Sequence, residues 1–182
     1  LSYTDLARLV DGVFIALHGR PGEDGQVQRE LRRLNIPYNG SDAESSAITI
    51  NKYRTLQLLK QNGFPVTRQR LLSVAEYTAD PQRVFVEVET DFAYPLIAKP
   101  VDDGCSAAVK LIKSQVELQT YLDLIFRTAG DGEPSQRSVL HLKPQEEFPR
   151  KNVVLIEELI SKQDAVHFLE ITGGLLTHHT PD

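Results

Sequence analysis

Apolar positions follow two rhythms along this chain. At 13–17 (VFIAL) and 152–160 (NVVLIEELI) they run together, as in short buried strands. Between 26 and 37 (QVQRELRRLNIP), Val27, Leu31 and Leu34 recur at helical spacing, and Pro37 stops that helix. The segment YNGSDAESSAIT predicts a turn at Asn39-Gly40 and then a short helix. The clearest helix is NKYRTLQLLKQNGFP: Tyr53, Leu56 and Leu59 share a face, Asn51 caps the start, and Gly63 sits where a left-handed C-terminal residue belongs.

Farther on, RQRLLS reads as a strand. RVFVEV alternates like a strand too, but the Asp80-Pro81 start signal predicts a helix over 81–89. PLIAKP and AAVKLI predict two strands of a hairpin around a small-residue loop. A helix is expected from Ser114 as cap to Gly130 as stop, then a linker, DGEPSQRS. AVHFLEITGGLLTH reads as a second hairpin turned at Gly173-Gly174. The fold class that follows is α/β plus α+β. The first 62 residues alternate strand and helix as in an open α/β layer, and a mostly antiparallel α+β lobe follows, with a boundary near Gly63-Phe64-Pro65.

Composition narrows the function. A formal net charge of -5 carries no general nucleic-acid footprint, so an anionic ligand must be held by local lysines. The apolar stretches are too short for a membrane-spanning helix. A single cysteine excludes an internal disulfide and fits a reducing compartment. The chain contains no methionine and ends on LLTHHTPD, which raises the expectation that it is part of something longer.

Two lysines stand out. Lys99 closes the run Leu96-Ile97-Ala98 and is followed by Pro100 and a loop of small residues whose backbone N–H groups could approach a phosphate. The plainer alternative is a snorkelling lysine beside an ordinary hairpin turn. Lys52 sits in the first turn of the best helix, where a cation opposes the helix dipole at a cost of roughly 0.3–1 kcal/mol unless an anion sits there too. His18 follows VFIAL, at the end of an expected strand where ligands bind in open α/β layers, though a turn histidine reads equally well. Glu157 and Glu158 are adjacent on a strand, so at most one faces a given cleft and a metal role is weak. No histidine is adjacent in sequence to Cys105, and nothing local marks that thiol as a nucleophile.

Taken together, VFIALHGRPGEDGQVQ, LNIPYNGSDAESSAITINKYRT, YPLIAKPVDDGCSAAVKLI and VLIEELI resemble the D-alanine–D-alanine ligases of the ATP-grasp superfamily, in the family's order. The resemblance implies an ATP-grasp fold: part of an N-terminal α/β domain (1–62), a central nucleotide-binding lobe (63–164) and the start of a C-terminal lobe (165–182). It implies ATP-dependent amide formation through an acylphosphate, in peptidoglycan precursor synthesis, by a cytoplasmic enzyme. The partners would be ATP and D-amino acids, with neither nucleic acid nor membrane, and the family allows a homodimer. A relative that binds nucleotide without turnover is the alternative.

Residue by residue, the resemblance gives Lys52 and Lys99 to the ATP phosphates. It gives the closing loop to Gly104–Ala108, and the positioning of substrate to His18, Cys105 and Ser106. Glu157, Glu158 and Ile160 fall on the adenine hinge, and Asp164 is the nearest match to a ribose-binding acid. The family's loop reads Gly-Ser-Ser-x-Gly, whereas here Cys105 replaces the first serine and Ala108 the final glycine. A thiol is the weaker donor, and alanine resists positive φ. The family's Mg²⁺ ligands are expected beyond Asp182, so these residues alone are expected to have little ligase activity.

Overall fold

Four strands among the described residues form one antiparallel sheet: β1 (Gln69–Ser73), β2 (Leu96–Pro100), β3 (Lys110–Ile112) and β4 (Val153–Glu158), in the spatial order β1-β4-β2-β3. The structure is a computed structural model that describes residues 2–161, except Cys105, Asp131 and Pro144, together with Leu169 and Ile171. The expected hairpin at 165–178 therefore lies outside the described residues, apart from those two positions.

The long apolar run at 153–158 becomes a central strand because it finds a partner on each edge. Register sets Gln69 opposite Glu157 opposite Ile97, and Leu71 opposite Leu155 opposite Lys99. Directly opposed residues share a face. One face thus carries Glu157 and Lys99. The other carries Leu72, Val154, Ile156, Leu96 and Ala98, all buried against α6 (Pro81–Asp91) and α7 (Gln115–Ile125) in the main core.

The alternating RVFVEV stretch is helical, as expected from its start signal. The Asp80 side chain accepts from Arg83 N at 2.9 Å, and Val84, Phe85 and Val88 turn one buried face to the core. Sequence reading missed α5 (Val74–Ala79), although its signal was present: Ser73 and Glu76 form a capping box. The expected helix after Ser114 ends at Ile125, short of Gly130. The expected linker is partly helical, as α8 (Pro134–Val139), because Pro134 suits a first helical position and Glu133 N donates to Gln136 Oε1 at 2.9 Å.

The described residues up to 62 hold four helices: α1 (Tyr3–Leu6), α2 (Gln26–Arg33), α3 (Ala43–Thr49) and α4 (Lys52–Gln61). A small cluster of Val27, Leu31 and Ile36 packs with Val13, Ile15 and Tyr38. The expectation of a buried strand at 13–17 is not met. Val13 makes one parallel bridge, to Tyr38, and Phe14 and Leu17 are 79% and 53% exposed. A strand needs ladder partners over several residues, and this run finds one at a single position among the described residues. Likewise α4 forms where expected, with its Asn51 cap and Gly63 at φ 80°, but none of its residues is fully buried.

Candidate functional site

The loop after β2 is pinned at its far end. Ala107 N donates to Gly104 O and Val109 N to Ser106 O, both at 3.1 Å, closing two successive turns. Ser106 and Ala108 have φ of 55° and 52°. A left-handed L-residue costs about 1–2 kcal/mol. At Ala108 that conformation is held by burial of its methyl group and by the Tyr121 hydroxyl, which donates to Ala108 O at 3.0 Å. The alanine therefore keeps the positive φ that a glycine would adopt freely.

His18 belongs to a tight turn shaped by the Gly-Glu-Asp-Gly sequence behind it. A Cβ at Gly22 would come within 2.4 Å of Leu17 Cβ, and one at Gly25 (φ 86°) within 2.2 Å of Ala43 O, so only glycine lets the turn pack there. Glu23 then reaches back: its Oε2 accepts from Gly19 N at 2.8 Å and its Oε1 lies 3.3 Å from His18 Nδ1. The loop meets this turn. A methyl group added at Gly104 would lie 3.5 Å from Glu23 Oε2 and 3.8 Å from His18 Nε2.

The helix α4 docks on the loop from the other side. Lys52 N donates to Val101 O at 2.8 Å and Lys52 Nζ to Asp103 O at 2.5 Å. Burial holds the Lys52 ammonium below the ordinary lysine range; Lys99 pushes the same way, Asp103 and Asp102 oppose, and Lys151 adds a weaker push. Lys99 Nζ pairs with Glu157 Oε2 at 2.5 Å, while among the described residues the buried Glu157 Oε1 and both amide atoms of Gln69 have no hydrogen-bond partner. Glu158 turns instead to Arg68, as strand alternation requires, with Arg68 Nε at 2.7 Å from its Oε2.

Three cavities follow from this geometry. One of about 900 Å³ is bordered by His18, Gly104 and Ala107, and by Phe148 and Arg150 across from them. A second, about 530 Å³, holds Lys52, Glu23, Asp103 and Gly104. A third, about 550 Å³, is bordered by Lys99, Glu157, Glu158 and Ile160, with Leu56 one turn along α4 from Lys52. Gly104 stands between the first two. Lys52 and Lys99 thus feel each other's charge but border different cavities. Ser106 is exposed and borders none of these three; Cys105 and Asp164 lie outside the described residues.

Sequence reasoning missed an ionic network at the loop's base. Arg20 spans Asp24 (3.0 Å) and Asp102 (2.6 Å), and Lys151 spans Asp102 (3.2 Å) and Asp103 (2.5 Å). Burial raises the Asp102 carboxyl, but Lys151 and Arg20 together leave it below the ordinary carboxylate range. The GEDG turn and the Asp-Asp pair were visible in sequence, but not their distant cations. Also missed was the segment at 132–150. Phe148 stacks edge-on against Tyr121 at 5.4 Å, and Lys110 pairs with Glu146 at 2.5 Å, which seats residues 145–150 as a wall of the 900 Å³ cavity.

Sequence comparison matches residues 2–41 to the profile described as the D-ala D-ala ligase N-terminus and residues 58–131 to that of the D-ala D-ala ligase C-terminus. A D-alanine–D-alanine ligase of Geobacter sulfurreducens is 38% identical over 122 residues, 67% of this chain and 36% of the relative. One of Coprothermobacter proteolyticus is 40% identical over 119 residues, 64% of this chain and 37% of the relative. The chain thus spans little more than a third of these relatives. Among solved structures, the VanG D-Ala:D-Ser ligase from Enterococcus faecalis superposes with a TM-score of 0.61 at 28% identity, over 84% of this chain and 37% of that one. The D-alanine–D-alanine ligase from Helicobacter pylori gives 0.59 at 27% identity, over 82% and 37%. The wall at 145–150 falls beyond the matched stretch, which ends at residue 131.

Proposed function

Because this chain belongs to the D-alanine–D-alanine ligase family and has its ATP-grasp fold, we propose that it carries the nucleotide-binding part of an ATP-dependent ligase that joins two D-amino acids for peptidoglycan precursors in the cytoplasm. Residues 1–62 are then part of the N-terminal domain, 63–164 the central lobe and 165–182 the start of the C-terminal lobe. The observation that carries this reading is that Lys52, at the start of α4, docks on the loop after β2 through the Asp103 carbonyl, while Lys99 lies on β2 at the other end of that loop's first turn and its charge is felt at Lys52.

Glu157 and the Asp103 carbonyl hold the two ammonium groups in place, and a triphosphate would add charge-assisted hydrogen bonds to both. Glu157 supports the same reading: its buried Oε1 has no partner among the described residues, and the amino group of adenine would be a donor for it. In the reaction, a carboxylate oxygen of the first amino acid attacks the γ-phosphorus and ADP leaves. The amine of the second amino acid then attacks the acyl carbon, phosphate leaves, and the amine gives up a proton. Lys52 and Lys99 stabilise the charge shifting along the phosphates. His18, held by Glu23 beside Gly104, orients the first amino acid, and the loop at 104–108 keeps water from the acylphosphate. The acceptor amine is D-alanine or D-serine, as in the named relatives. Magnesium would neutralise phosphate charge; among the described residues no group of three or more His, Cys, Asp or Glu side chains gathers to hold it.

The test is phosphate release by the complete protein given ATP, Mg²⁺ and D-alanine. Release that depends on the D-amino acid and drops with Lys99→Met is expected. No release with either D-alanine or D-serine would overturn the reading.

A further inference from the structure

We infer that Lys151 is a third phosphate-contacting lysine of this site, and that Asp102 and Asp103 hold it in reserve as an internal anion until a phosphate chain displaces them. This rests on the nucleotide reading above and deepens it. Lys151 lies just before β4, far in sequence from either lysine of the motif reading, and nothing in the resemblance assigns it a role. Its Nζ bridges both loop carboxylates, at 3.2 Å to Asp102 and 2.5 Å to Asp103. The backbone carbonyl of the same Asp103 takes the Lys52 ammonium at 2.5 Å. Asp103 is therefore the point on which Lys52 and Lys151 meet, and the charge of Lys151 is felt at Lys52.

The charges balance at this corner. Lys52, Lys151 and Arg20 face Asp102, Asp103 and Asp24, and Lys99 has Glu157. Lys151 is also partly buried, its side chain 21% exposed, so it is costly to leave unpaired. Without the aspartates, Lys52 and Lys151 would repel one another across a small volume. With them, the cations stay assembled at the loop's base, Lys52 bordering one cavity with Asp103 and Gly104 and Lys151 a second with Asp102 and Asn51. A phosphate chain brings oxygens of the same charge, which would replace the carboxylate oxygens on the ammonium groups. Binding is then an exchange of anions at a standing lysine cluster.

The experiment measures binding of ATP and of tripolyphosphate by calorimetry, with each variant's fold checked by circular dichroism and melting. Lys99→Met controls for the reading itself. Lys151→Met should weaken tripolyphosphate binding by about tenfold, as expected for a charged hydrogen bond, and Lys151→Arg should restore it. Asp102→Asn with Asp103→Asn should tighten binding several-fold, and that gain should vanish when Lys151→Met is added. Glu147→Gln, beside the neighbouring cavity, measures what loss of negative charge does on its own. If Lys151→Met fails to fold, the aspartate variant and the salt dependence of its binding decide. The inference is overturned if Lys99→Met weakens binding while the aspartate variant binds no tighter than Glu147→Gln, or if its gain survives Lys151→Met. If Lys99→Met changes nothing, the nucleotide reading falls and the inference falls with it.

Discussion

Residues 13–17 and 153–157 are written in nearly the same apolar letters and end in opposite places. Val154, Leu155 and Ile156 are fully buried, with β1 on one edge and β2 on the other. Phe14 and Leu17 lie open, and Val13 has one bridge. A run of apolar side chains states a demand for burial; neighbours decide whether the demand is met. The same contrast divides the two regions. The lobe around the sheet has an extensive buried cluster, whereas the first 62 residues gather round Val27, Leu31 and Ile36. The functional groups sit where these regions meet, in a zone held by ions and hydrogen bonds rather than by apolar packing.

The contrast can be broken most sharply by stability measurements. Ile156→Ala should lower the unfolding free energy by about 2–5 kcal/mol in urea titration, the cost of a cavity in a closed core. Phe14→Ser should change it by no more than roughly 0.5 kcal/mol. Equal effects would erase the distinction. Tyr121→Phe comes next. It leaves the buried Ala108 carbonyl without its donor, at about 1–3 kcal/mol, and should speed amide hydrogen exchange at residues 106–109.

The junction itself should respond to acid. The folded Asp102 carboxyl is held below its ordinary value, so its contribution is present above the unfolded pKa and is lost as pH falls through the folded one. Arg20→Gln should therefore reduce stability near neutrality and have little effect at pH values below the carboxylate range. The smallest signal is at Lys52. Its ammonium should titrate below the ordinary lysine range by NMR, and added tripolyphosphate should move it back up.

Much of the fold was legible because its signals were local. Asn51, Ser114 and Asp80-Pro81 each announce a helix start, and the two strands around the small loop announce their own hairpin. The exposed run at 13–17 was misread because burial depends on neighbours that a local pattern does not contain. Among the candidate site residues, Lys52, Lys99, His18 and Gly104 were singled out by motif and position. Glu23 as the partner of His18, and Lys151 as the partner of Asp102 and Asp103, were not. The latter pairing joins residues 49 and 48 positions apart, and no spacing rule reaches that far. Helix α8 hid in a segment rich in turn residues because its cap is a glutamate and glutamine pair rather than serine or aspartate.

The most direct test of the account is a double-mutant cycle on ATP binding, using Lys52→Met, Lys99→Met and the pair. Two ammonium groups that share one phosphate chain should each lose roughly 1.5–3 kcal/mol on removal, with a coupling of at least about 0.5 kcal/mol between them. Affinity that is unchanged in either single variant, or losses that simply add, would contradict it.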